Sequence, residues 1–317
     1  MKTDKDNPRY INIVGSACSG TGAVFEYLKG RGDLYDPLFG EEYLLPSLPN
    51  GLMALNAITE KASDPSITEH SLKEFQNLTK DLIKYWSSKQ NNEKLNHNII
   101  IFENAIEKFL KDITHVNYPM RLLSHQLSQS NVKILISKIK RRLGLTIDNP
   151  KTRLIVSQKK FLEATQKLHD SMFSQNANNR KIIITRGCSV WSLNESSKFF
   201  LNSKIVVINR DPRDQFVELR SYKQAYSVES FINWYKELQK RLSSINDSNV
   251  LLINFEDFVK KNNKFKKILC DHVSLNDITS SYDPELSKKN VGKFNKYLDR
   301  KEIMSIEENL SEYFYFD

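Results

Sequence analysis

The chain has 317 residues, 39% of them hydrophobic and 10% aromatic, with a formal net charge of +9; that is enough apolar material for a sizeable core, as one elaborated α/β domain or two smaller ones. No apolar run approaches the ~20 residues of a membrane span, and the start lacks the apolar centre of a secretory leader. The three cysteines, Cys18, Cys188 and Cys270, show no Cys-x-x-Cys pairing, which argues against a disulfide framework or a zinc site, so a cytoplasmic protein is expected. The positive charge favours polyanions. Helix-turn-helix, zinc-finger and aromatic RNA-binding patterns are missing and the basic residues are spread along the chain, so a nucleotide or an acidic glycan is expected rather than nucleic acid.

The first element is a strand, Ile11 to Val14, followed by the small residues 15 to 22 and a helical apolar pattern from Ala23 to Leu28. Strand, glycine-rich loop and helix together make an anion site, because backbone N–H groups converge and the helix N-terminus adds about half a positive charge. The alternative is a tight turn of small residues that serves packing alone. Gly15 and Gly20 have the Gly-x4-Gly spacing of a Walker A loop, yet Thr21 and Gly22 stand where Lys and Ser or Thr are needed. The dinucleotide fingerprint also fails, since Phe25 occupies its third small position. A phosphate held without magnesium is the expected ligand.

Pro37, Pro46 and Pro49 keep the next stretch out of long helices, leaving a loop able to carry Glu41 and Glu42 beside Gly40 as candidate bases. Both also read as solvated acids. From Thr68 to about Leu143 the pattern is helical: Leu72, Phe75, Leu78, Leu82 and Trp86, then Phe102, Ile106, Phe109 and Ile113, then Val132, Leu135, Ile136, Ile139 and Leu143. These stripes are expected to be core faces. The third helix also carries Lys133, Lys138, Lys140, Arg141 and Arg142, a basic face for solvent, an anionic glycan or a membrane surface. With a fourth helix over 158–173 and a polar linker to Arg180, residues from about 66 to 180 form a helical insertion in a single domain spanning 1–317. The six histidines are scattered, with no metal-binding pair.

Beyond the insertion come a strand (Ile182–Thr185), a loop, a short helix (Asn194–Leu201) and a buried strand (Ile205–Asn209), which are βαβ units and so a parallel sheet. Arg210-Asp211-Pro212-Arg213-Asp214 follows that strand directly, where α/β proteins bind ligands. The planar fork of arginine matches a phosphate, so Arg210 is a ligand candidate, whereas Asp211 and Asp214 are expected to cap the strand–helix corner. Phe231, Tyr235, Leu238 and Leu242 mark a helix over the sheet, and Asp299-x-x-Glu302 opens a terminal packing helix.

The pairing of Ser19-Gly20-Thr21 with Arg210 to Asp214 resembles the sulfotransferases that use 3′-phosphoadenosine 5′-phosphosulfate, PAPS. The resemblance extends to the late strand and acidic pair Val250 to Phe258 and to Ser287-Lys288-Lys289-Asn290-Val291-Gly292-Lys293. It implies a P-loop-like three-layer fold with a central parallel sheet. It further implies that Ser16, Ala17, Cys18, Ser19, Gly20, Thr21 and Gly22 grip the 5′-phosphosulfate. Arg210 would take the 3′-phosphate, and a loop with Lys288, Asn290, Gly292 and Lys293 would close over the nucleotide. A glutamate after the first helix would be the base, Glu41 first and then Glu42, with a carbohydrate hydroxyl as acceptor. Metal-free transfer fits, since amides and basic side chains can stabilise a sulfuryl group leaving from a phosphate. Two positions depart from the pattern. Cys18 replaces the usual Lys or Arg, for which Lys293 or Arg186 would substitute. Glu218 replaces a phosphate-binding serine and would repel that group, leaving Ser221 to substitute. Alternatives are a non-catalytic nucleotide-binding protein, a lipid or small-molecule acceptor, and a phosphotransferase, the last disfavoured by the missing Lys and hydroxyl.

Overall fold

A run of consecutive apolar residues forms a strand when both of its faces are covered. In the computed structural model, which describes residues 7–60, 64–89, 93–119, 131–144, 151–276 and 278–315, the first such run is β1 (Tyr10–Gly15), buried from Tyr10 to Val14. It leads into α1 (Thr21–Lys29), whose Ala23, Val24, Phe25, Tyr27 and Leu28 are buried. The chain divides into two compact units, Leu48–Met172 and the remainder, Met1–Ser47 with Phe173–Asp317.

The first of these units contains α2 (Leu52–Glu60), α3 (Pro65–Lys89), α4 (Glu93–Ile113), β2 (Thr114–Pro119), α5 (Asn131–Arg142), β3 (Lys151–Ile155) and most of α6 (Gln158–Phe173). Its core follows the expected stripes of α3 and α4. Phe75 packs on Phe109 with ring centroids 5.7 Å apart, and Trp86 meets Phe102 edge-on at 5.9 Å. Glu69 of α3 receives the backbone N–H of Arg153 at 3.0 Å and grips its guanidinium with both oxygens at 2.9 Å. Two expectations need correction here. The helical run is interrupted by β2, which pairs antiparallel with β3; its alternation is too short for a periodicity argument to separate from the preceding helix. The third stripe is not core, because Val132, Leu135, Ile136 and Ile139 of α5 and Leu143 just after it are all exposed.

The second unit is mixed α/β, with a central parallel sheet flanked by helices. After β1 and α1 it adds β4 (Ile182–Thr185), β5 (Ser203–Asn209), α7 (Pro212–Ser221), α8 (Val228–Ser243), β6 (Val250–Asn254), α9 (Phe255–Lys260), α10 (Asn262–His272) and α11 (Arg300–Leu310). The strand order is β4-β1-β5-β6, all parallel, with Val14 opposite Val207 and Ile13 opposite Thr185. The expected helix over Asn194–Leu201 is reduced to one turn, Leu193–Ser196, and a 3-10 turn, Ser197–Phe199.

Alternation along the strands sends side chains to two layers. Ile11, Ile13, Val206 and Ile208 join Val24, Phe25 and Leu28 of α1 and Phe258, Val259 and Leu269 of α9 and α10 in one cluster. On the opposite face, Gln239 of α8 donates to the Asn209 side chain at 2.9 Å, and Phe216, Phe231, Tyr235, Ile306 and Leu310 pack α7, α8 and α11 together. The chain therefore leaves adjacent strands β1 and β5 toward opposite layers. Such a divergence opens a crevice at the carboxyl ends of the strands, which is where open α/β sheets bind ligands.

Candidate functional site

The crevice is floored by the loop from Gly15 to Gly20. Its backbone is forced into shape by left-handed residues, Cys18 at φ 61° and Gly20 at φ 92°. Gly20 has two reasons to be glycine, since a Cβ there would also lie 2.3 Å from the Phe255 ring. Gln215 of α7 fixes the other half of the loop, donating from its amide to Ser16 Oγ at 2.8 Å and to the Ala17 carbonyl at 2.6 Å. No side chain caps α1 at Gly20, and the first N–H groups of a helix have no carbonyl within the helix to bond. This edge of the loop is chemically suited to an anion.

Arg210, at the end of β5, is the hub. It is 2% exposed, lies over the Phe255 ring at 4.9 Å, and donates to the Cys18 carbonyl at 2.9 Å and to the Asn290 carbonyl at 2.8 Å. It also pairs with Glu218 of α7, eight residues further along the chain. The guanidinium thus ties the first loop to the 288–293 loop. Asp214 completes that tie by accepting N–H bonds from Gly292 at 2.6 Å and Phe294 at 3.0 Å. Burial raises the Asp214 pKa above the ordinary carboxylate value. Asp211 caps α7 through the Arg213 N–H and pairs with the Arg213 guanidinium, which is stacked between Phe294 and Phe314 at 4.1 and 4.0 Å. Both aspartates serve the corner, as their position in the sequence suggests.

Other candidate residues occupy the same edge of the sheet. Ser221, Glu218 and Lys293 line one cavity of about 390 Å³ with Arg220, Tyr222 and Tyr297. The Ser221 hydroxyl donates to the Glu218 carbonyl at 2.8 Å, and Lys288 pairs with Glu285 at 2.6 Å. A second cavity of about 360 Å³ lies beside Ala17 and is walled by Leu219, Tyr226, Phe231 and Trp234. At the end of β4, the Thr185 carbonyl accepts the Tyr43 N–H at 3.0 Å, and the Thr185 hydroxyl donates to the Glu41 carbonyl at 3.4 Å. Arg186, whose own N–H bonds Ile13 of β1, pairs with Glu42 at 2.9 Å, both side chains being about half exposed. Glu41, Glu42 and Arg186 therefore share the carboxyl edge with the loop.

Burial, with Glu218 nearby, raises the pKa of the Cys18 thiol; a neutral thiol supplies no cation to the loop. Among the described residues no group of three His, Cys, Asp or Glu side chains is placed to hold a metal ion.

Three contributors carried no clear signal in the sequence. Gln215 and Phe255 shape the loop from 195 or more residues away in the chain, which short-range patterns do not register. Glu256, noted only as half of an acidic pair, is 1% exposed and accepts the Asp211 N–H at 3.0 Å. Burial pushes its pKa up to about 7. Buried polar atoms lacking a hydrogen-bond partner gather at this corner: Ser19 Oγ, Gln215 Oε1, Arg210 Nε and Glu256 Oε2. Buried polar groups in folded proteins nearly always have partners, water or ligand included.

No protein-family model matches the chain, nor does any curated protein. Solved structures similar to it include the sulfotransferase domain from the curacin biosynthetic pathway, with TM-score 0.44 and 14% identity, covering 98% of this chain and 99% of that one. The sulfotransferase domain from the Synechococcus PCC 7002 olefin synthase has TM-score 0.44 and 14% identity, with 97% of each chain covered. Sulfotransferase STF9 from Mycobacterium avium has TM-score 0.38 and 10% identity, covering 97% of this chain and 76% of that one. Likenesses this faint do not assign a substrate or a reaction.

Proposed function

We propose that the protein is a sulfotransferase that moves a sulfo group from PAPS to an acceptor hydroxyl, with a carbohydrate as the leading acceptor class. The observation that carries this reading is the Arg210 hub. One guanidinium bonds Cys18 of the first loop and Asn290 of the last, so segments far apart in the chain, each resembling a donor-binding motif, meet at the mouth of a parallel sheet. The unpartnered Ser19 hydroxyl and the N–H groups at the start of α1 suit the 5′-phosphosulfate. Ser221 and Lys293 share a cavity in which the 3′-phosphate would compete with Glu218 for Arg210.

Transfer forms an S–O bond to the acceptor oxygen and breaks the S–O bond to the phosphate, leaving the nucleotide bisphosphate. The acceptor proton passes to a carboxylate within hydrogen-bond reach. Glu41 remains the first candidate, and Glu42 would have to leave Arg186. Backbone amides of the first loop would stabilise the charge on the leaving phosphate without a metal.

A specific observation favours a second reading, a nucleotide-binding protein without turnover: Glu218 engages Arg210, and Cys18 supplies no cation. Incubation with sulfur-labelled PAPS, a pooled set of glycans, lipids and phenols, and a metal chelator separates the two. Label transfer that falls at least tenfold in Glu41→Gln supports the enzyme. Tight PAPS binding with no transfer to any acceptor supports the binder, and no binding overturns both.

A further inference from the structure

The exposed stripe of α5 belongs neither to a core nor to the site above. Val132, Leu135, Ile136, Ile139 and Leu143 are each between 47% and 67% exposed. At 100° per residue they fall within an arc of about 100°, one continuous apolar face. Lys140 borders that face on one side and Arg142 and Lys138 border it on the other, and all three are exposed. From Asn131 to Gly144 the sequence has five basic residues and no acidic one.

Leaving five large apolar side chains in water costs free energy roughly in proportion to their area, and a patch of this kind marks an interaction surface. The charges select the partner. A nucleic-acid backbone matches the basic residues but has no use for the apolar face. A coiled-coil partner needs a seam of three or four heptads, and this stripe runs only from Val132 to Leu143. An anionic bilayer surface matches both features: the apolar face enters the boundary between headgroups and acyl chains, while flanking Lys and Arg side chains reach up to lipid phosphates. We infer that α5 is an interfacial helix that seats the protein on an anionic lipid surface. The helix is too short and too charged to cross a membrane, and no helix among the described residues is long and apolar enough to do so.

The test uses the full chain in co-sedimentation with phosphatidylcholine vesicles, with and without phosphatidylserine. Binding is expected only with phosphatidylserine and should weaken as salt rises. Lys138→Glu/Lys140→Glu/Arg142→Glu should lower the partition coefficient on the order of 100-fold, and Ile136→Ser/Ile139→Ser by about tenfold or more. Both variants should melt with the parent, since the altered side chains are exposed. Absence of binding to anionic vesicles overturns the inference, as does binding that neither variant alters. A variant that melts well below the parent would place the stripe in a core and overturn it too. A dimer that Ile136→Ser/Ile139→Ser returns to monomer, without vesicle binding, would assign the face to a second copy of the chain.

Discussion

Asp214 and Glu218 stand one turn apart on α7, both carboxylates beside the same arginine and the same late loop, yet they do different work. Asp214 is 1% exposed and saturated by the N–H groups of Gly292 and Phe294. Glu218 has a side chain 23% exposed, lines a cavity, and pairs with Arg210 through a contact that the 3′-phosphate would replace under the proposed function. A carboxylate whose partners are fixed backbone amides is part of the fold, whereas one paired with an arginine beside a cavity is, in the proposed function, part of the donor site. The proposed function gives Arg210 two roles: its bonds to the Cys18 and Asn290 carbonyls hold the two loops together, and its bond to Glu218 would be exchanged for the phosphate.

The largest expected effect lies on the structural side. Asp214→Ala leaves two N–H groups without an acceptor and should cost about 2–4 kcal/mol in denaturant unfolding, with the 288–293 loop becoming susceptible to proteolysis. A loss under about 1 kcal/mol would erase the distinction between the two acids.

Glu256 provides the next effect, through pH. Its folded-state pKa is about 7, above the ordinary 4.5, so the folded protein keeps a proton that the unfolded chain has lost over that window. Stability from this group is therefore fully present at low pH and falls as pH rises from about 4.5 to about 7, by about 3 kcal/mol. Asp36, pushed up to about 6 by burial, contributes a similar slope in every variant. Glu256→Gln should remove only the Glu256 part, so thermal or denaturant unfolding of the two proteins compared from pH 4 to 8 isolates it. Parallel stability curves would contradict the assignment.

The smallest effect is on the exchangeable side. Glu218→Gln should leave stability within about 1 kcal/mol and tighten 3′-phosphoadenosine 5′-phosphate about tenfold or more by removing a like charge from the phosphate position. Weaker binding would instead make Glu218 a direct contact to the nucleotide.

The sequence and the structure agree best where local chemistry decides the outcome. The apolar runs of β1, β4, β5 and β6 are strands wherever they occur, and Asp299 and Glu302 form the reciprocal cap that their spacing signals. The loop after β1 was legible as a glycine-rich turn from strand to helix, but its dependence on Gln215 and Phe255 was not, because those contacts are made by the fold and leave no short-range pattern. Arg210 was legible as a cation at a strand end, and Glu218 as a departure. That the two satisfy each other is not a matter of helical spacing, because Arg210 precedes α7, which begins at Pro212; the pairing is made by the fold, which turns the Arg210 side chain back along the helix to Glu218. The α5 stripe shows the opposite limit: periodicity reports amphipathicity and does not say whether the apolar face meets a core.

Calorimetric titration with 3′-phosphoadenosine 5′-phosphate in the absence of divalent metal, beside ATP with magnesium, separates a PAPS-using site from a magnesium-dependent one. The bisphosphate is expected to bind in the micromolar range without metal, weakened by about 1.5–3 kcal/mol in Arg210→Ala, with little response to ATP. No binding of the bisphosphate, or binding of ATP with magnesium alone, would contradict a PAPS-using site.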